Sequence, residues 1–351
     1  MKKLLMISRP FLGESLFATP CFELLSKEYE ITLLLYPNSM PLFKHYKFIK
    51  NILPSCNTAY LQAKLPDETI DEIKKIFVEG EDNYYAYIND DDIKFLPNHP
   101  ELNYIKKYPV LHDTEIKVLR KENGEERFIS RARKYILKLQ LMSLEDIDKF
   151  DCTVRIPEYT PLSSNNDIVV YQGSKESLRK LPTQIIQKFI KKLPDAVFLV
   201  TQETATELNM VNCGIKHILI SPYIDENLVK IVDLFKSNPK VMIGPDSGLT
   251  QLALGYKIPL VWLESRIPIE SVIDKQYKYI YKVYRRGNPD CDKSCMARNT
   301  DIDKNTLPYG MFDTQYYIKP SIRLKCFKES KASCLEYTDS DIDEIIRLSN
   351  F

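Results

Sequence analysis

Glycine is scarce in this sequence, at 10 of 351 residues, so each one marks a place where the backbone turns or is closely approached. That scarcity excludes collagen-like and glycine-rich low-complexity chains. An excess of either charge is missing too: 49 Lys and Arg stand against 48 Asp and Glu, for a formal net charge of +1. A chain that coats nucleic acid or anionic membrane needs a clear basic excess, so nucleic acid is not an expected partner and any anion site must be local. No run approaches the roughly 18 apolar residues that cross a bilayer, which leaves at most peripheral contact with a membrane. The opening Lys2-Lys3-Leu4-Leu5-Met6-Ile7 begins like a signal peptide. Arg9 and Pro10 end its apolar run short of the h-region length of about 7–15 residues, so it reads as a first buried strand and the expected location is cytoplasmic. The 8 cysteines are too scattered for a disulfide framework and are expected to act as thiols or metal ligands.

What is present is the mix of a folded globular protein, 44% hydrophobic and 28% charged. At 351 residues, two domains are expected rather than one core. Short continuous apolar runs recur at Leu4–Ile7, Ile31–Leu35, Ile168–Tyr171, Val197–Val200, Ile218–Ile220, Val241–Ile243 and Leu260–Leu263. Continuity, in place of alternation, marks strands covered on both faces, hence parallel sheets. Behind Pro182, residues Ile185, Ile186, Phe189, Ile190 and Leu193 fall at helical spacing. Strand, helix and strand in alternation give an α/β, doubly wound (Rossmann-like) pattern that occurs twice. Between the two lies a charged, Tyr-rich stretch, Tyr60–Glu158. Its segment 81–108, with Tyr84, Tyr85, Tyr87 and Tyr104, either contacts a ligand or packs a small domain. The proline-bearing segment 155–166 reads as the linker, dividing the chain into domains 1–160 and 161–335, the latter with a cysteine-containing segment 288–335. Residues 336–351 read as a C-terminal helix capped near Thr338, expected to pack back on the first domain.

Glycines follow the strands. Gly13 follows the first, Gly173 follows Ile168–Tyr171, and Gly244 and Gly248 flank the turn after Val241–Ile243. In doubly wound folds ligands bind beyond the carboxyl ends of strands. In Gly244-Pro245-Asp246-Ser247-Gly248-Leu249-Thr250-Gln251, a turn with a carboxylate, a hydroxyl and a glycine opens directly into a helix. Its amides suit a phosphate or diphosphate, while Asp246 or Ser247 serves equally as a simple helix cap. The segment Gly173-Ser174-Lys175-Glu176-Ser177-Leu178-Arg179-Lys180 also follows a strand and carries three cations, either for the same anion or as a solvated loop. Glu14, beside Gly13, is a general base facing a cleft or an acid favoured by its helix dipole.

Together these segments resemble the heptosyltransferase-like glycosyltransferase family 9, which has the two-domain GT-B architecture. The resemblance rests on strand-Gly-acid-helix with Pro20 six residues after the acid, the Gly-Ser loop ending at Leu181-Pro182, the 244–253 turn, the strand Ile258–Leu263, and Cys334-Leu335 before the last helix. It implies an acceptor-binding first domain and a second domain that binds a nucleotide-diphosphate sugar, typically ADP-heptose. It also implies inverting transfer to a hydroxyl of a surface glycan, with Glu14 in the place of the catalytic Asp. Gly173, Ser174, Arg179, Lys180, Asp246, Ser247, Gly248 and Gln251 would hold the donor, and Glu203 or Glu207 its ribose. Gln251 stands where the family has His, so it can donate a hydrogen bond but carries no charge. No cofactor is needed for transfer. A nucleotide-sugar-binding protein without turnover is the alternative from another class; a nicotinamide dehydrogenase is disfavoured because no Gly-x-Gly-x-x-Gly follows the first strand.

Cys291 and Cys295 have the spacing of a metal half-site, and Cys326 and Cys334 supply two further thiols. A four-thiolate zinc or iron site, unliganded thiols and disulfides are all compatible with that spacing. An iron-binding four-cysteine finger is associated with the branch of the family that glycosylates protein hydroxyls, so a protein acceptor is the alternative to a glycan.

Overall fold

Two all-parallel sheets form, as the continuous apolar runs require. The computed structural model describes residues 1–8, 12–55, 65–87, 99–111, 115–116, 130–160, 165–173, 180–220, 225–264, 269, 272–277, 280–284 and 335–350. The first sheet comprises β1 (Lys2–Ile7), β2 (Tyr29–Leu35), β3 (Asn51–Pro54), β4 (Asn83–Tyr87) and β5 (Lys106–Lys107), in the order β3-β2-β1-β4-β5. The second comprises β6 (Asn165–Tyr171), β7 (Val197–Val200), β8 (His217–Leu219), β9 (Pro239–Pro245), β10 (Leu260–Leu263) and β11 (Tyr281–Tyr284), in the order β11-β10-β9-β6-β7-β8. Each order reverses direction beside its first strand, between β1 and β4 and between β6 and β9. That reversal is the topological switch point of a doubly wound domain, where the strand ends leave a crevice.

Helices α1 (Leu12–Phe17), α2 (Thr19–Leu25), α3 (Met40–Phe43), α4 (Asp67–Ile76), α5 (Arg131–Lys138) and α6 (Leu144–Ile147) belong to the first half. In the second are α7 (Thr183–Lys192), α8 (Gln202–Glu207), α9 (Asp225–Lys236), α10 (Gly248–Gly255) and α11 (Asp339–Leu348). Side chains alternate faces along each strand. Leu4 and Met6 enter one apolar cluster while Leu5 and Ile7 enter another beneath α4. In the second sheet Val170, Ile243 and Val261 share a cluster with Ile185, Ile186 and Phe189 of α7. Each such buried side chain contributes roughly 1.5–3 kcal/mol by leaving water. The remaining faces, with α1, α2 and α10, merge into one core that runs through both sheets.

One expectation changes. The C-terminal helix α11, capped by Thr338 as expected, packs, among the described residues, on the second domain: Ile342 and Ile345 join the cluster of α7, and Lys188 Nζ donates to the carbonyl of Tyr337 at 2.9 Å. The reason is its apolar stripe, which matches the outer face of the second sheet. The first residue of the linker is fastened to the first domain. The amide of Arg155 donates to Thr19 Oγ1 at 2.8 Å, its guanidinium pairs with Glu23 at 2.6 Å, and Tyr46 OH donates to its carbonyl at 2.6 Å. The Tyr-rich segment supplies β4, where Tyr87 is buried, so at that residue packing is the use made of it.

Candidate active site

The helices that follow β1 and β9, one from each half of the chain, meet at their first residues. A Cβ placed on Gly248 would lie 2.9 Å from the backbone nitrogen of Gly13, and one on Gly13 would lie 3.3 Å from Gly248 Cα and 2.4 Å from Gln251 Oε1. At 248 the obstacle is backbone, so glycine there lets α1 and α10 approach this closely, and Gly13 leaves room for the Gln251 amide. The two predicted turns are therefore one place, with Glu14 on one side and residues 246–251 on the other.

Glu14 is held at both oxygens. Arg131 Nη1 donates to Oε1 at 2.5 Å and the Tyr135 hydroxyl donates to Oε2. Arg131 and Tyr135 are four apart on α5, which puts them on the same face. A carboxylate has about four lone-pair sites, so the two partners still leave capacity for a further hydroxyl. Neither residue is marked as part of the site by the sequence motifs. The signal available was helical spacing: Ala132, Tyr135, Ile136 and Leu139 are all buried and recur at i, i+3, i+4 and i+7.

At the opposing turn, Asp246, Ser247 and Gln251 are buried. The alternative reading of Ser247 as a helix cap is realised. Its hydroxyl accepts from the Leu249 amide at 3.1 Å, and Thr250 Oγ1 accepts from the Ser247 amide at 3.1 Å to complete a capping box. Gly248, at the first helical position, is the early amide that this box does not use. Gln251 Nε2 donates to Asp246 Oδ1 at 3.3 Å, while its buried Oε1 has no hydrogen-bond partner among the described residues and faces Gly13.

The loop expected to complete the site begins and ends at a fixed point. Gly173 and Lys180 pair as an antiparallel bridge, and the Leu181 amide donates to the Gln172 carbonyl at 2.6 Å. The Gln172 side chain clamps the base of the loop: Nε2 donates to Thr204 Oγ1 at 2.7 Å and to the Leu181 carbonyl at 3.1 Å, and Oε1 accepts from the Thr201 amide at 3.0 Å. Lys180 Nζ lies 3.3 Å from Glu203 Oε2, so two predicted donor-binding residues stand together at the ends of β6 and β7. Ser174 and Arg179 lie outside the described residues, as do Cys291, Cys295, Cys326 and Cys334. Among the described residues no group of three or more His, Cys, Asp or Glu is placed to hold a metal, and no helix is long and apolar enough to cross a membrane.

No protein-family model and no curated protein matches the sequence. Solved structures do match in shape. The chain is similar to a family 9 glycosyl transferase from Veillonella parvula DSM 2008, with a TM-score of 0.57 and 14% identity over 99% of this chain and 96% of that one. It is similar to the ADP-heptose lipopolysaccharide heptosyltransferase II of E. coli, with a TM-score of 0.59 and 13% identity over 99% and 98% of the two chains. The fold is GT-B. A third similarity, at a TM-score of 0.51 and 14% identity, is to the iron-containing dodecameric glycosyltransferase TibC of enterotoxigenic E. coli, covering 99% of this chain and 76% of that one.

Proposed function

We infer that the protein is an inverting glycosyltransferase that moves a sugar from a nucleotide-diphosphate donor to an acceptor hydroxyl. The observation that carries this reading is the contact of Gly13, the residue beside Glu14, with Gly248 of the 246–248 turn, each following a strand at its own sheet's switch point. In the proposed step Glu14 takes the proton of the acceptor hydroxyl as its oxygen bonds to the anomeric carbon. The bond from that carbon to the diphosphate breaks on the opposite face, and its electron pair leaves on the diphosphate. Negative charge grows on the leaving group, so the Gly248 amide at the start of α10 and the cation of Lys180 bind it more strongly in the transition state than before. Those donors belong to the chain, and the step as written uses no cofactor. Asp246, held by Gln251, shapes the turn, and Glu203 accepts from ribose hydroxyls beside Lys180.

ADP-heptose is the proposed donor and a bacterial surface glycan the proposed acceptor, on the likeness to the E. coli heptosyltransferase II. A protein acceptor, with iron or zinc on Cys291, Cys295, Cys326 and Cys334, is the variant of this reading; elemental analysis finding about one metal per chain tests it. A second reading, nucleotide-sugar binding without turnover, is favoured by one observation: both oxygens of Glu14 are already engaged. Calorimetry with ADP, ADP-heptose and UDP-sugars separates these. The transferase reading expects binding, weakened about tenfold by Lys180→Ala, together with nucleotide release on adding acceptor. Binding without release favours the second reading, and absence of any nucleotide binding removes both.

A further inference from the structure

Helix α5 touches more than Glu14. Arg131 and Tyr135 share one face, while Arg133 stands about 200° away from Arg131 around the axis, on the opposite side. There the buried Arg133 guanidinium bridges the two domains: its Nε donates at 2.6 Å to Asp274 Oδ2 of the second, and Nη1 donates to Asp148 of the first. Asp274, whose side chain is 1% exposed, accepts at the same oxygen from Ser130 Oγ at 2.9 Å, while its other oxygen accepts from the Gln276 amide at 3.1 Å. Ser130 is the residue that precedes α5, so a carboxylate from the second domain stands at the start of a first-domain helix, where the helix dipole favours negative charge. Burial pulls the Arg133 guanidinium down, but the hydrogen bond and charge of Asp274 hold it above its ordinary value. The same strip of the second domain is fastened further along, where the Val154 amide donates to Tyr277 OH at 2.6 Å and Gln276 Nε2 to the Phe150 carbonyl at 2.8 Å.

A buried ion pair adds little stability over a well-packed apolar pair of the same size, yet it fixes geometry because each partner has only one place to go. We propose that α5 is a positioning element that couples the register of the two domains to the aim of Glu14. Arg131 and Tyr135 orient the carboxylate, and Arg133 anchors the helix to the second domain through Asp274. Displacing the second domain's strip then displaces the residues that hold Glu14. The catalytic meaning of this coupling rests on the transferase reading; the mechanical link does not.

Hydrogen exchange tests the link without any substrate. In Asp274→Asn, amides of α1 beside Glu14 exchange about tenfold faster, a typical size for coupling between sites, while β6 to β8 are unchanged. In Tyr135→Phe, α1 responds in the same direction and the 272–277 strip does not. Faster exchange confined to α5 and 272–277, with α1 as in the wild type, overturns the proposal. Arg133→Lys, which keeps the charge and loses the Nε bond, replaces Asp274→Asn if the latter does not fold. In the transfer assay Asp274→Asn lowers kcat about tenfold with donor KM unchanged, and an unchanged kcat also overturns the coupling. If the wild type releases nucleotide from no donor, the transferase reading fails while the exchange experiment still decides the coupling.

Discussion

Gly248→Ala tests the approach of the two domains at a single methyl group. Two effects of opposite sign compete. Alanine near the start of α10 favours the helix by up to about 1 kcal/mol over glycine. Against that, the new Cβ falls 2.9 Å from the Gly13 backbone nitrogen and 3.2 Å from Leu12 Cβ. A main-chain atom cannot rotate aside as a side chain can, so α1 and α10 must separate. Inserting a methyl into such a contact costs about 1–3 kcal/mol, which wins over the propensity gain. The expected result is a net loss of about 1–2 kcal/mol, read as a lower urea midpoint with the slope retained. If the variant is as stable as the wild type or more so, propensity alone is acting. The two helix starts are then not in contact, and the opposition of Glu14 to the 246–248 turn goes with them.

Removing the Gln172 side chain by Gln172→Ala leaves the Thr201 amide and the Leu181 carbonyl without their side-chain partner, at roughly 1–3 kcal/mol for each buried group left unsatisfied; an unchanged unfolding midpoint would contradict the clamp. Alkaline pH should destabilise the fold. Burial pushes Tyr108, Tyr256 and the Cys152 thiol each up to about 12, with neighbouring Tyr29, Tyr159 and Asp274 adding to the respective shifts. The folded chain therefore keeps protons that the unfolded chain releases from about pH 9 to 10. Stability from these groups is complete below that range and is lost as pH rises toward 12. Urea midpoints at pH 8 and pH 11 should differ less in Tyr256→Phe than in the wild type.

Much of this fold is legible in the chain, for a physical reason. Strands buried on both faces must be apolar throughout, so β1, β2, β6, β7, β9 and β10 stand out as continuous runs, and β7 and β10 coincide with them end to end. The edge strand β5 is Lys106–Lys107 with no apolar residue, and β4 mixes Asn83 with three tyrosines, so neither announces itself by hydropathy. The turns at Glu14 and Asp246 are readable because glycine is scarce and stands at both, with backbone crowding at Gly248. Their contact with each other was not, because it depends on how two domains dock. Arg131 and Tyr135 were hidden for a related reason: α5 reads Arg-Ala-Arg-Lys-Tyr-Ile-Leu-Lys, a charged segment far along the chain from Glu14, which only the tertiary fold brings to it.

Turnover by Glu14→Gln tests the role of Glu14 most directly. Nucleotide release from ADP-heptose in the presence of surface-glycan acceptor is measured beside calorimetric donor binding, for wild type and variant. A general base contributes about 10²–10⁴-fold, so kcat should fall by that factor with donor affinity retained. Equal turnover by the two proteins would contradict the assignment of Glu14 and the site built around it.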